Sequence, residues 1–158
     1  MEQLIASLAD GLLLGFVYGL AAMGLTLIFG VMDVINLGHG PIIALGMFAI
    51  FFISGATGFG LHPYLALVIV AILGLLFGIA MYFIAVHRVL NAPHLSSLLS
   101  TFSVNLMIIG VGTAVFTTTP RNMEFSIGSI SLGPVTLLGT RLVAALIAVA
   151  VAALLYLF

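Results

Sequence analysis

The sequence has no cysteine and no lysine, and charged residues make up only 4% of its 158 positions. The lack of cysteine excludes disulfide bonds, thiolate metal ligands and cysteine nucleophiles. Three basic residues stand against four acidic ones, for a formal net charge of -1. The chain therefore has neither the basic surface that nucleic acid requires nor a polybasic membrane anchor.

Hydrophobic residues make up 64% of the chain, and its mean hydropathy is +1.46. A soluble domain of this length has no core large enough to bury so much apolar surface, so the composition predicts a protein embedded in the lipid bilayer. The first ten residues carry Glu2 and Asp10 rather than the basic start of a signal peptide. We therefore expect the N-terminus to be retained.

Long apolar runs divide the chain into about five predicted transmembrane helices, which makes the expected fold class an all-α polytopic membrane protein. A run of about 20 apolar residues is long enough to cross the hydrocarbon layer as a helix. Asp10 is a plausible N-cap for the first helix. Residues 41–53 are too short to cross unaided, although Gly40-Pro41 is a good helix start. The longer runs are 11–31, 63–86, 98–116 and 141–158.

A polar stretch from Asp33 to Gly40 interrupts the apolar sequence between the first two runs. Irregular polar backbone occurs within the hydrocarbon layer only where it is packed inside protein or lines a water-filled cavity. We therefore expect a helix broken near residues 33–41, wrapped by neighbouring helices, rather than a solvated loop.

Residues 117–140 differ from the rest of the chain, because Thr117 to Arg121 break the apolar pattern and short alternating segments follow. Phe125 and Ile127, a Gly128-Ser129 turn, and then Ile130 and Leu132 match a two-residue hairpin. The sequence thus predicts a short β-hairpin near residues 125–138, outside the hydrocarbon.

Glycines recur at helical spacing in two of the apolar runs. Glycines four apart share one helix face and allow another helix to approach closely, so we interpret them as packing positions. The alternative is that glycine is simply frequent in membrane helices. The positions are Gly11, Gly15 and Gly19 in the first run, and Gly74 and Gly78 in the third.

Three short segments, residues 24–31, 34–40 and 45–46, together resemble the N-terminal half of branched-chain amino acid ABC transporter permeases of the LivH/LivM type. The core of the resemblance is Asn36-Leu37-Gly38-His39-Gly40, directly after a glycine-bounded apolar helix. The family commonly has alanine at the position of Gly38 and often an acidic residue at that of Pro41. Pro41 has no carboxylate for an acid-dependent role at that position.

This resemblance implies the transmembrane subunit of an ATP-driven importer in the bacterial inner membrane. Its partners would be a second permease subunit, two cytoplasmic ABC ATPases and a periplasmic substrate-binding protein. The family continues with a coupling loop that docks on the ATPase. We therefore expect residues 1–158 to be one permease domain truncated before that loop. The family order puts the hairpin in the periplasm, whereas the few arginines weakly favour the cytoplasm.

The polar stretch contains the candidate residues for a translocation path. Asn36 offers donors and an acceptor, and Gly38 and Gly40 permit close backbone approach, so the break can expose backbone dipoles to a zwitterion. The alternative is that Asn36 and His39 only pin two helix ends together. His39 could instead carry protons, which an ATP-driven importer does not need. Asp33 lies either at the membrane interface or against a substrate ammonium group.

No pattern of catalytic, metal-binding or cofactor-binding residues accompanies this stretch. His87 and His94 stand seven apart across a proline, which is not metal-ligand spacing. The plentiful methionines and phenylalanines are typical of packing in lipid rather than of a cofactor pocket. We therefore expect no enzyme activity. The alternatives to an importer subunit are a passive channel, a non-catalytic assembly subunit, or a related amide or urea permease.

Overall fold

The computed structural model describes residues 2–55, 59–119, 121, 125, 127–132 and 135–157, and these are mostly helical. Four of the helical segments are long and apolar enough to cross a membrane, and α2 is shorter. The predicted all-α membrane fold with five helices is therefore confirmed. The elements are α1 Glu2–Met32, α2 His39–Ser54, α3 Pro63–Met81, α4 His94–Phe116, β1 Ser129–Leu132, β2 Val135–Leu138 and α5 Gly139–Leu157.

The described residues form two compact units. One is drawn from residues 1–27 and 124–158, and the other from residues 28–123. The first unit holds most of α1, the hairpin and α5. The second holds the polar stretch with α2, α3 and α4.

In the first unit, α1 begins at Glu2, so the predicted N-cap role of Asp10 is wrong. Asp10 lies inside the helix, where its Oδ2 accepts a hydrogen bond from Arg141 at the start of α5. The earlier residues of α1 include good helix formers such as Glu2, Leu4 and Ala6, and they extend the helix past Asp10. The ion pair joins α1 to α5.

The hairpin is present, but the predicted Gly128-Ser129 turn is wrong. Strands β1 and β2 pair antiparallel, with Ser129 opposite Leu138 and Leu132 opposite Val135. The strands are therefore connected at residues 133–134, which lie outside the described residues. The sequence there is Gly-Pro, and proline has no N–H to donate to a strand ladder. This pair therefore marks the end of the first strand better than the predicted Gly128-Ser129 turn did.

Glycines close the open end of this hairpin. Gly128 has φ +97, and its carbonyl oxygen accepts a hydrogen bond of 2.8 Å from the Gly139 amide. A Cβ added at Gly139 would lie 2.9 Å from that oxygen. Close backbone approach therefore requires glycine at the first residue of α5.

In the second unit, α2 packs against both α3 and α4. Gly38 lies beside Thr101 and Asn105, and the Phe48 ring stacks on Phe116 with centroids 4.8 Å apart. The start of α2 therefore meets the first half of α4 and its end meets the end of α4, so the two helices run parallel.

Helix α3 continues beyond Met81 as a π-helical turn, Tyr82–Val86, and a 3-10 turn, His87–Val89. The wider π turn places Ala85 against α4, where its carbonyl oxygen accepts a 2.7 Å hydrogen bond from the Ser100 hydroxyl. The buried residues of this unit are small, as expected where membrane helices pack closely. They include Val34, Ala66, Ala85, Val86, Ser97 and Thr101.

Candidate functional site

The polar stretch between α1 and α2 runs along the first turns of α4. Its start, Asp33, lies near His94 at the beginning of α4, with 3.7 Å between Oδ2 and Nε2. Gly38, the last residue before α2, lies against the backbone of Thr101 and Asn105. At ~1.5 Å per helical residue, these positions are roughly 10 to 16 Å farther along α4.

This path compensates for the shortness of α2, which cannot cross a membrane alone. After α1 the chain runs along α4 as irregular backbone, and α2 starts only beside Thr101. The 16 residues of α2 span roughly 24 Å. Residues 33–38 supply the remainder of the crossing, since they run along roughly 10 Å of α4 before α2 begins.

Irregular backbone at this depth must have its polar groups satisfied within the protein. The Asn36 side chain meets part of this need, because its Oδ1 accepts a 3.0 Å hydrogen bond from the Gly38 amide. The Asn36 carbonyl oxygen accepts another, of 3.2 Å, from the His39 amide. The side chain thus imitates a backbone turn and directs the chain into α2.

Thr101 connects α4 to the polar stretch and is fully buried. Its hydroxyl lies 3.0 Å from the carbonyl oxygen of Ile35, and also within reach of two carbonyls of its own helix, those of Ser97 and Leu98. A threonine hydroxyl on a helix can bond one turn back at little cost to the helix. Here the same hydroxyl can instead donate its one proton to the nearest of the three, the Ile35 oxygen, which belongs to no helix.

The two glycines of the predicted site differ in their surroundings. Gly38 is buried, and a Cβ added there would lie 3.2 Å from Asn36 Oδ1 and 3.7 Å from the Thr101 carbonyl oxygen. Gly40 is exposed, and in the described residues nothing lies within 4 Å of a Cβ built on it. Close approach thus explains glycine at position 38 alone.

The remaining predicted residues lie at the edge of this arrangement. Asp33 ends α1 in the left-handed conformation, with φ 53, and its amide donates to the Phe29 carbonyl oxygen at 2.8 Å. Its side chain is 69% exposed, and that of its neighbour His94 is 79% exposed. His39 is half-buried in the first turn of α2. Within the described residues, neighbouring helices therefore cover one face of the stretch rather than wrapping it as expected.

Asn105 was not among the predicted site residues, yet it lies where α2 begins. Its Oδ1 is buried and has no hydrogen-bond partner among the described residues, and the same is true of Ser97 Oγ. Asn105 is the one strongly polar residue inside the apolar run 98–116. That feature of the sequence could have identified it as a candidate site residue. Nothing in the sequence distinguished Thr101, because threonine is common in membrane helices.

The glycines predicted to mediate helix packing lie in open space within the described residues. Nothing there comes within 4 Å of a Cβ built on any of them, so their packing role stays a prediction. They are Gly11, Gly15, Gly19, Gly74 and Gly78. The described residues also contain no group of three or more acidic, histidine or cysteine side chains that could hold a metal ion.

A comparison with protein families matches residues 7–158 to the permease component of the branched-chain amino acid transport system. No curated protein and no solved structure matches the chain. The match covers nearly the whole sequence, and the long apolar helices agree with a multi-pass membrane protein. The chain belongs to the family of branched-chain amino acid transport permeases and is a membrane transport subunit.

Proposed function

We propose that this protein is a transmembrane subunit of an ATP-driven importer and that residues 33–40, with the facing side of α4, line part of its translocation path. The substrates are branched-chain or other small amino acids. The protein acts with a second permease subunit, two cytoplasmic ABC ATPases and a periplasmic binding protein in a bacterial inner membrane. It performs no bond chemistry itself.

The observation that carries this proposal is the irregular backbone at the depth of Thr101. Most membrane protein backbone is hidden inside helices, whereas a broken segment presents peptide groups sideways. Asn36 and Thr101 hold this segment in place. The Asn105 backbone nitrogen lies 3.9 Å from a Cβ built on Gly38. The side chain of this residue carries a buried acceptor, Oδ1, without a partner among the described residues. Peptide dipoles and an amide oxygen suit the ammonium and carboxylate groups of a passing amino acid.

The test is ATP-dependent uptake of labelled leucine by the complete transporter in proteoliposomes. We expect Asn36→Ala and Asn105→Leu each to lower the initial uptake rate about tenfold. The first change frees the Gly38 amide and loosens the broken segment, and the second removes an acceptor for the substrate ammonium group. Asn91→Ala, a change in the exposed turn before α4, serves as the control. Assembly is monitored by co-purification of the ATPase subunits.

Two results would contradict the proposal. Unchanged uptake by the fully assembled Asn36→Ala and Asn105→Leu transporters would remove both residues from the path. Leucine flux that needs neither ATP nor the partner subunits would instead indicate a passive channel.

A further inference from the structure

A groove of about 680 Å³ lies between α2 and α4 and begins at Pro41, directly after the polar stretch. Its walls are mostly apolar and include Leu45 and Phe48 of α2 and Ile108 and Gly112 of α4. Because α2 and α4 run parallel, the C-terminal ends of both helices lie at the same end of the groove. The groove therefore follows the direction of the membrane-spanning helices.

The end of the groove beyond α4 is polar. Thr117, Thr118, Thr119 and Arg121 line it. The Arg121 Nη2 donates to the Phe116 carbonyl oxygen at 3.2 Å. This bond satisfies the acceptor at the end of α4 and leaves most of the guanidinium N–H groups available.

Arg121 is held over the groove by aromatic rings. Its guanidinium carbon lies 5.4 Å from the ring centroid of Phe51 and 5.1 Å from that of Phe52, within the range of cation–π attraction. No carboxylate among the described residues lies within ion-pair distance of it. The groove thus has a fixed positive charge at one end.

The depth of this charge matches the level of lipid headgroups. Helix α4 has 23 residues, which span ~34 Å, about the thickness of the hydrocarbon layer. Arg121 follows the end of that helix by a few residues, and the apolar walls extend from it toward the membrane centre. A ligand that fits this gradient has an anionic head and a long apolar tail.

We propose that the groove binds one anionic phospholipid, with its phosphate at Arg121 and an acyl chain between α2 and α4. A guanidinium group matches phosphate geometry well, and basic pockets between membrane helices suit anionic headgroups. An amino acid fits less well, because no described lining residue offers a carboxylate to its ammonium group. An apolar partner helix would cover the arginine without neutralising it.

The experiment compares lipid retention by the complete purified transporter, measured by native mass spectrometry. Phosphatidylglycerol and phosphatidylcholine with identical acyl chains are the two probes. We expect phosphatidylglycerol to be retained preferentially, and Arg121→Gln to weaken its binding about tenfold, as expected for loss of a charged hydrogen bond. Arg88→Gln, at the exposed end of α3, removes the same charge elsewhere and should leave retention unchanged.

A second pair of variants tests the apolar part of the groove. Gly112 lines the groove, and a Cβ built on it meets nothing within 4 Å in the described residues, so Gly112→Leu should fill the space without a backbone clash. We expect it to reduce phosphatidylglycerol binding about as strongly as Arg121→Gln. Gly110→Leu is the matched control, because Gly110 is equally open but does not line the groove.

Three results would overturn the proposal. The first is failure of the headgroup test, in which both lipids are retained equally or Arg121→Gln leaves retention of phosphatidylglycerol unchanged. The second is displacement of the lipid by inorganic phosphate alone, which would mean that the acyl chain contributes nothing. The third is a photoactivatable phosphatidylglycerol that labels residues 108–116 in the isolated chain but not in the assembled transporter, which would mean that a partner subunit occupies the groove.

Discussion

At the scale of single residues, the close approach of α4 explains why position 38 is glycine. Replacement of Gly38 by valine would push methyl groups toward the Thr101 carbonyl oxygen and the Asn105 amide nitrogen, which lie 3.7 and 3.9 Å from the position that a Cβ would occupy. Backbone atoms cannot rotate away as a side chain does. We expect Gly38→Val to destabilise the protein by about 1–3 kcal/mol, as overpacking usually does, measured by thermal unfolding in detergent.

Gly40→Val provides the matched comparison two residues away. Both substitutions are made at the start of α2, but Gly40 faces open space. Its effect should therefore stay near the few tenths of a kcal/mol by which valine and glycine differ in helix preference. Equal melting temperatures for the two variants would contradict the close packing of Gly38.

The sequence indicated the type of structure at this site better than its individual contacts. A polar, glycine-containing stretch inside apolar sequence is expensive in lipid, so Asn36 and Gly38 could be selected from the sequence alone. Thr101 could not be selected, because its importance depends on the Ile35 carbonyl oxygen, which only the folded chain brings next to it. Gly40 was selected by the same pattern as Gly38, yet no close contact among the described residues explains it.

At the scale of elements, one hydroxyl joins the polar stretch to α4. Thr101→Val keeps the shape of the side chain but leaves the Ile35 carbonyl oxygen without its 3.0 Å bond. Loss of this partly buried hydrogen bond costs about 0.5–1.5 kcal/mol, so we expect a loss of stability of that size. Faster hydrogen exchange at residues 34–39 would locate the effect.

Thr26→Val is the control for this change. The Thr26 hydroxyl bonds the Ala22 carbonyl oxygen one turn back in its own helix, at 3.0 Å. That oxygen keeps its helical partner when the hydroxyl is removed, so stability should change by less than about 0.5 kcal/mol. If Thr101→Val were as mild as Thr26→Val, the bond between α4 and the polar stretch would contribute little.

The base of the hairpin provides a second test at this scale. Gly139→Ala would place a methyl group 2.9 Å from the Gly128 carbonyl oxygen, so the bond between these residues must lengthen. We expect the amides of β1 and β2 to exchange at least about tenfold faster with deuterium, equivalent to ~1.4 kcal/mol of local stability. Gly110→Ala, in open space on α4, should leave the hairpin protected, and equal protection in both variants would contradict the role of Gly139.

The ends of helices could be predicted where local composition determines them. They could not be predicted where a contact with a distant residue determines them. The end of α4 at Phe116 coincides with the breaker sequence that follows it. The start of α1 was misplaced because Asp10 resembles an N-cap, whereas Arg141, more than a hundred residues away, binds its carboxylate within the helix. Local patterns cannot distinguish a carboxylate that caps a helix from one that binds a distant arginine.

At the scale of the whole molecule, the parallel arrangement of α2 and α4 fixes which connections share a side of the membrane. Both helices end toward the same side, so the segment after α2 and the segment after α4 must emerge together. The turn before α4 must emerge on the opposite side, because α4 is long enough to cross. The family order predicts the orientation, with the end of α4 in the periplasm, and this stays a prediction.

Cysteine labelling tests this topology, because these 158 residues contain no cysteine of their own. Phe59→Cys and Thr118→Cys replace exposed residues after α2 and α4, and Asn91→Cys replaces an exposed residue before α4. With a membrane-impermeant maleimide on intact cells, we expect near-complete labelling of the first two variants. Asn91→Cys should react only after permeabilisation. Labelling of Asn91→Cys and Thr118→Cys from the same side would show that α4 does not span the bilayer, whereas the reverse pattern would keep the fold and invert its orientation.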